Sequence, residues 1–266
     1  RRRKLFPDYK ANRLVRTKLN RTNAFGDKDA ESQNMKMQIG RLVQYLDHLP
    51  VQMLAPENIE ADDAIAYLSK QVLTESKIFI MSSDKDFIQL VDDRIAVWSP
   101  TKKKLYFKDD VTEDYKIPAH NYLLYRTLTG DKSDNIPGIR GTGIKTLQKR
   151  LPRLFSQDTL TIDDIISDCE DSKVKVLQTI HDSRSTIELN YKLMQLSEVD
   201  ISGSSKHKIL NVADNEIPRL NAMQFKVMLI EDTITGAFRN LEFWLRERFS
   251  SLDIQANIFN KSCKTN

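Results

Sequence analysis

Seven carboxylates in three short clusters are the residues of this sequence best suited to chemistry. They are Glu60, Asp62 and Asp63, then Asp84 and Asp86, then Asp131 and Asp134. Like charges gathered this closely repel one another, and a hard divalent cation is the usual means of neutralising them. The third cluster runs straight into Ile136-Pro137-Gly138-Ile139-Arg140-Gly141-Thr142-Gly143-Ile144-Lys145. Glycines permit positive φ and let the backbone approach a ligand closely. The stretch therefore reads as a hairpin whose amides, with the N-terminus of the next helix, hold a phosphate without reading bases. Acids that hold metal beside a hairpin that holds phosphate imply metal-assisted cutting of a phosphodiester backbone.

Each cluster alone also has a plainer reading. Glu60 and Asp63 share one face at the start of a helix, with Asp62 alongside, and acids in a first turn are common caps. Asp84 and Asp86 directly follow an apolar run, at the carboxyl end of a strand where ligands of open α/β sheets sit. An Asx-turn with solvent-exposed acids gives the same pattern. Asp92 and Asp93 read as surface acids. A lone Gly-x-Gly is weak, whereas the whole string from Gly130 to Lys145 is specific and resembles a helix–hairpin–helix pattern.

The charge distribution supports the polyanion reading. The net charge over 266 residues is only +4, but residues 1–21 hold nine Lys or Arg against the single acid Asp8. Residues 140–153 hold Arg140, Lys145, Lys149, Arg150 and Arg153 with no acid. Basic flanks around an acidic centre suit a polyanion held at its sides; a solvated face is the plainer reading of each run alone and a weaker one for both together. Cys169 and Cys263 are far apart, so neither a disulfide framework nor a zinc site is indicated, and a reducing, cytoplasmic setting is expected. His48, His120, His181 and His207 are scattered, which argues against zinc hydrolysis. No apolar run approaches the ~18 residues of a membrane span. The opening Arg1-Arg2-Arg3-Lys4 is no signal peptide and reads like the middle of a protein, so an N-terminal truncation is expected.

Positioning these residues requires an α/β core. Met35, Ile39, Leu42, Val43 and Leu46 predict a helix over about 31–48, and Val51-Gln52-Met53-Leu54 a short strand. Ala64, Ile65, Leu68 and Val72 predict a helix from Glu60 to Val72. Ile78-Phe79-Ile80-Met81 and Ile95-Ala96-Val97-Trp98 are continuous apolar runs, expected as parallel strands with right-handed crossovers. After Pro118 helices are expected over 119–129, 143–151, 163–169, 173–195 and 216–249, with a polar break near 202–208. A domain boundary is placed at 117–118, giving 1–117 as the α/β part and 118–266 as the helical part. Trp98, Trp244, Phe238 and Phe243 read as core, and Met35 and Met37 need no special role.

The motifs together resemble those of the 5′-nuclease (flap endonuclease) family, most closely its bacteriophage members of the phage ribonuclease H type. Glu60-Ala61-Asp62-Asp63, Ser82-Ser83-Asp84-Lys85-Asp86-Phe87 and Gly130-Asp131-Lys132-Ser133-Asp134-Asn135-Ile136-Pro137-Gly138 match its motifs in order and spacing. Leu5-Phe6-Pro7-Asp8-Tyr9-Lys10-Ala11-Asn12-Arg13 is similar to the base of the family's helical arch. The resemblance covers roughly residues 1–155 and is loose beyond.

It implies a PIN-like parallel-sheet nuclease core followed by a mainly helical region with an H3TH element. It implies two Mg²⁺ ions about 4 Å apart, with Mn²⁺ as an alternative. Glu60, Asp62, Asp63, Asp84 and Asp86 would hold them, with Asp131 and Asp134 completing the second site. Lys10 and Arg13 would clamp the scissile phosphate, and Tyr9 would stack on a base. Gly138, Arg140, Gly141, Gly143 and Lys145 would bind duplex, with K⁺ at the hairpin carbonyls. The implied activity is 5′-3′ exonuclease or flap cutting and RNA-primer removal in replication, on branched DNA and RNA/DNA duplex. A clamp or single-strand-binding protein is the implied partner. Two further aspartates of the family belong upstream of Arg1, so the chain is expected to bind branched DNA and cut it poorly. The competing readings are a non-catalytic duplex-binding module and a metal-dependent phosphatase, which leaves the hairpin and the basic arch unexplained.

Overall fold

A computed structural model describes residues 2–12, 28–57, 59–198 and 200–263. In chain order the first helices are α1 (Arg2–Leu5), α2 (Lys28–Leu46) and α3 (Ala61–Tyr67). Strands β1 (Ile78–Met81), β2 (Ile95–Ser99) and β3 (Lys104–Tyr106) follow. Then come α4 (Lys108–Tyr115), α5 (Ala119–Thr129), α6 (Ile144–Arg150), α7 (Ile162–Ser167), α8 (Lys175–Asp182) and α9 (Arg184–Met194). The last are α10 (Gly203–Asp214), α11 (Ala222–Glu231) and α12 (Leu241–Cys263). No described helix is long and apolar enough to cross a membrane.

The sheet has the order β1-β2-β3. β1 and β2 run parallel, from Ile78 opposite Ile95 to Met81 opposite Trp98, as the two apolar runs lead one to expect. β3 returns antiparallel to β2, with Tyr106 opposite Val97. That third strand is not foreseen from the sequence, because three residues led by a lysine carry no readable period. Ile95, Ala96 and Val97 are buried, which makes β2 the centre of the sheet.

The chain forms two compact units, residues 1–17 with 57–205 and residues 18–56 with 206–266. The boundary expected at 117–118 falls inside the first unit. The reason is packing: α5 lies against both α9 and the 3₁₀ turn Lys85–Leu90 that follows β1. Tyr9, Leu123, Ile136, Leu193 and Met194 share one core cluster of this unit. In the second unit Leu49, Phe225, Leu229 and Leu245 make the core, with Phe238 and Trp244 packed on it. Phe243, expected in the core, is half exposed.

Several local expectations are corrected. Residues 51–54 form no strand; no ladder partner is present among the described residues, and Gln52 instead donates to the carbonyls of Val212 and Asn215 at 2.7 Å. The helix expected from Glu60 to Val72 is α3 followed by a π turn, Leu68–Val72. The break expected near 202–208 is a helix start, where the Ser202 hydroxyl accepts from the Ser205 N–H at 3.2 Å. Residues 173–195 divide at Ser183, and 216–249 is interrupted between α11 and α12 by the 3₁₀ turn Thr235–Ala237.

Candidate metal centre and nucleic-acid interface

All three acidic clusters lie in the first unit, on three different elements. Glu60 takes the N-cap position of α3 with extended backbone, yet its side chain makes no capping bond. The carboxylate instead accepts from Lys10 Nζ at 2.8 Å, Arg2 Nη1 at 3.1 Å and the Tyr9 hydroxyl at 3.3 Å. Burial opposes its ionisation, but Lys10 and Arg2 hold the carboxyl below its usual range. Asp63, one turn on and 5% exposed, receives the Arg2 guanidinium as a fork, 2.7 Å to Oδ1 and 3.0 Å to Oδ2. Arg2 Nε is anchored on the Leu193 carbonyl at 2.8 Å.

The second cluster leaves β1 as that strand ends. Asp84 caps the 3₁₀ turn: its Oδ1 accepts from the Asp86 N–H at 3.0 Å, and the Ser82 hydroxyl accepts from the Asp84 N–H at 3.1 Å. The Asx-turn reading is therefore present, and it coexists with exposure to the other acids. Burial first, and the charge of Asp84 second, push Asp62 above its usual value. Burial pushes Asp86 up to about 6, against the pull of Arg126.

The third cluster sits just past the end of α5. Gly130 closes that helix at φ 71°, and Asp131 pairs with Ile136 in a one-bridge loop. Asp131 Oδ1 accepts from the Ser133 N–H at 2.7 Å and its hydroxyl at 2.6 Å, while Oδ2 is paired with Arg126. Burial opposes ionisation, but the Ser133 bonds and the Arg126 charge hold Asp131 below its usual range. Asp134, 7% exposed, accepts from the Tyr9 hydroxyl at 3.2 Å and lies 3.8 Å from Lys10 Nζ.

Arg2, Lys10 and Arg126 thus engage Glu60, Asp63, Asp86, Asp131 and Asp134. Asp62 and Asp84 form no ion pair among the described residues, although the charges of Lys10 and Arg2 reach Asp62. No three acids, histidines or cysteines among the described residues converge as a ready-made cage, since five of the seven carboxylates are turned toward these cations. The donor set is oxygen alone, which suits a hard divalent ion such as Mg²⁺ or Mn²⁺. Asp62, raised by burial and by the neighbouring charge of Asp84, is a place such an ion fits.

The hairpin is built by close backbone approach. A Cβ on Gly138 would lie 2.1 Å from the Thr129 carbonyl oxygen, and one on Gly130 would lie 2.4 Å from the Gly138 nitrogen. Gly141 has φ 92° and Gly143 faces open space. Thr142, buried, donates its hydroxyl hydrogen toward the Ile139 and Leu128 carbonyls at 2.7 and 2.9 Å. Asn190 of α9 ties the hairpin to α5 by donating to the Pro137 and Thr127 carbonyls at 2.8 and 2.9 Å. Arg140 and Lys145 are exposed and form no ion pair among the described residues.

Two expected arch residues fare differently. Arg13 lies outside the described residues. Tyr9 is 4% exposed, with its ring in the core and its hydroxyl on Glu60 and Asp134, so it has no free face for a base. Its place here is to orient acids. Arg2, Arg126, Thr142 and Asn190 were missed by sequence reasoning. Arg2 was absorbed into the basic run at 1–4, and Arg126 carries only the weak signal of a cation in the last turn of a helix ahead of Asp131.

The family described as the 5′-3′ exonuclease, N-terminal resolvase-like domain matches residues 1–116. A 5′-3′ exonuclease of Aquifex aeolicus is 30% identical over 74% of this chain and 64% of its own length. A thermostable DNA polymerase I of Thermus filiformis is 30% identical over 62% of this chain and 21% of its own length. The chain thus spans less than two thirds of these relatives. A bacteriophage T5 flap endonuclease, solved as a pseudo-enzyme–product complex with DNA and metal ions, superposes with TM-score 0.62. It is 21% identical over 80% of each chain, a likeness of fold.

Proposed function

We propose that the chain belongs to the 5′-nuclease (flap endonuclease) family, as its likeness to the 5′-3′ exonuclease N-terminal domain and to 5′-3′ exonucleases supports, and that the full-length protein is a divalent-metal-dependent, structure-specific 5′ nuclease. Its substrates are branched or flapped DNA and RNA/DNA duplex, and its work is RNA-primer removal during replication in the cytoplasm. A sliding clamp or a single-strand-binding protein is the proposed partner.

The observation that carries this reading is the pair Asp62 and Asp84, which form no ion pair among the described residues, with Asp62 held above its usual range by burial and by the charge of Asp84, beside five further carboxylates on three elements. Asp62 and Asp84 would hold the first ion. Glu60 and Asp63 would support it, and Asp86, Asp131 and Asp134 would hold the second. Mg²⁺ or Mn²⁺ bound there would supply an activated water and charge neutralisation at the leaving oxygen.

The chain's own residues do the rest. Lys10, already at the acids, binds the scissile phosphate and offsets charge that develops on it. Arg13 is proposed to share that task. Gly138, Gly141 and Gly143 let duplex backbone approach the hairpin, Arg140 and Lys145 attract its phosphates, and K⁺ is held at the hairpin carbonyls. The region from 118 onward is the duplex grip, and Tyr9 contributes by holding Glu60 and Asp134 in place.

The test is to incubate the full-length protein with a 5′-labelled flap, an unbranched duplex and a small phosphomonoester, in Mg²⁺ and in EDTA. Mg²⁺-dependent release from the flap alone, or from flap and duplex, supports the reading. Duplex binding without cleavage makes it a non-catalytic module, and turnover of the phosphomonoester makes it a phosphatase.

A further inference from the structure

Arg126 projects from the last turn of α5 into the gap between the second and third acidic clusters. Its Nη2 reaches Asp86 Oδ1 at 3.3 Å and is also paired with Asp131 Oδ2. The Arg126 Nε is buried and has no hydrogen-bond partner. A cation placed only to complement a helix end would keep its donors in water. Here one donor is left without a partner so that another can join carboxylates from two elements.

The consequence is an uneven pairing of the acids. Asp62 and Asp84 form no ion pair among the described residues, although the charges of Lys10 and Arg2 reach Asp62. Asp86 and Asp131, which lie with Asp134 at the second site, are paired directly with Arg126. A divalent ion at the first pair displaces no directly paired guanidinium. At the second it must displace one or accept the lowered charge. A substrate phosphate arriving there would restore the missing negative charge.

We propose that Arg126 is a positioning residue and internal counter-ion, which keeps Asp86 and Asp131 from holding a second divalent ion until a substrate phosphate is present. The inference rests on the metal-dependent reading above. It makes metal loading ordered: one ion before substrate, the second with it. It also keeps the two acidic elements at a fixed separation while the second ion is absent.

The test counts Mn²⁺ bound to the full-length protein by electron paramagnetic resonance, without DNA. Wild type is expected to hold one ion tightly and a second more weakly. Arg126→Gln, which keeps a hydrogen-bonding side chain and removes the charge, is expected to tighten the second site by about tenfold or more, and leave the first unchanged. Arg126→Lys, which keeps the charge, is expected to stay near wild type. Two unaltered affinities in Arg126→Gln, loss of both sites, or equal tightening in Arg126→Lys would each overturn the proposal. Should Arg126→Gln fail to fold, the wild-type Arg126 Nε–H resonance decides: it is expected to shift with the second binding event, and a shift with the first, or none, overturns the proposal. If no Mn²⁺ binds to any form, the metal-dependent reading itself falls with it.

Discussion

Lys10 Nζ lies 2.8 Å from Glu60 Oε2 and 3.8 Å from Asp134 Oδ2, so one ammonium spans the first and third acidic clusters. The backbone of Lys10 is held in the left-handed region at φ 57°, and its N–H donates to the Asp134 carbonyl at 2.9 Å. An L residue in that conformation persists only where the surroundings fix it, and such positions cluster at functional sites. Lys10→Ala is expected to lower the single-turnover rate by about 10²-fold and duplex affinity far less. Single-turnover kinetics with a binding isotherm check this. An affinity loss alone would make Lys10 a positioning charge.

Arg2 and Asp63 form a nearly buried fork. Removing one partner leaves an uncompensated charge, which costs about 3 kcal/mol or more. Arg2→Met is expected to lower thermal stability in EDTA, with part of the loss recovered in Mg²⁺, because an ion can take over part of the neutralisation. Melting curves with and without metal check this, and identical losses in both would separate Asp63 from the metal site.

How far the site was legible follows from the kind of signal each residue carries. The carboxylates and glycines are short motifs with fixed spacing, so they can be read without a fold. The strands 78–81 and 95–98 were legible because a continuous apolar run has few other uses. Arg2, Arg126 and Asn190 act across long separations: Arg2 meets Asp63 and Asn190 meets Thr127 only after α3, α5 and α9 have packed. No local pattern announces such a pairing. The unit boundary was missed for the same reason, since α5 looks like the first helix of a new domain until it packs on the turn after β1. Tyr9 was misread because a tyrosine in a basic segment looks exposed until the core closes over it.

The hairpin glycines divide into two kinds. Gly138→Ala is expected to destabilise the fold by about 3 kcal/mol, because its methyl would collide with the Thr129 carbonyl. Gly143→Val meets nothing within 4 Å but loses the glycine N-cap of α6 and is expected to cost about 1 kcal/mol. Its effect should appear instead as a loss of duplex affinity of about tenfold, equal for all sequences. Denaturant melts and binding isotherms separate the two, and unchanged duplex affinity in Gly143→Val would remove that face from the interface.

Asp92 supplies a pH-dependent contribution away from the site. Its carboxylate accepts from Lys70 Nζ at 2.6 Å and from the Arg94 and Ile95 N–H groups at 2.8 Å. Burial opposes ionisation, yet these bonds hold the carboxyl below its usual range. A depressed folded value means the stabilisation is full above the unfolded value of about 3.9 and is lost as pH falls through the folded one. Asp92→Asn is expected to lower the melting temperature at pH 7, with the gap to wild type closing below about pH 4. A gap that is constant with pH would show that charge is not the source.

The central claim is that Asp62 and Asp84 hold the ion that drives cleavage. The most direct measurement is the single-turnover rate of the full-length wild type, Asp62→Asn and Asp84→Asn on one 5′-labelled flap at saturating Mg²⁺, with binding measured in Ca²⁺. The account predicts cleavage reduced by about 10³-fold or more in both variants while flap affinity stays close to wild type. Wild-type rates in either variant would contradict it.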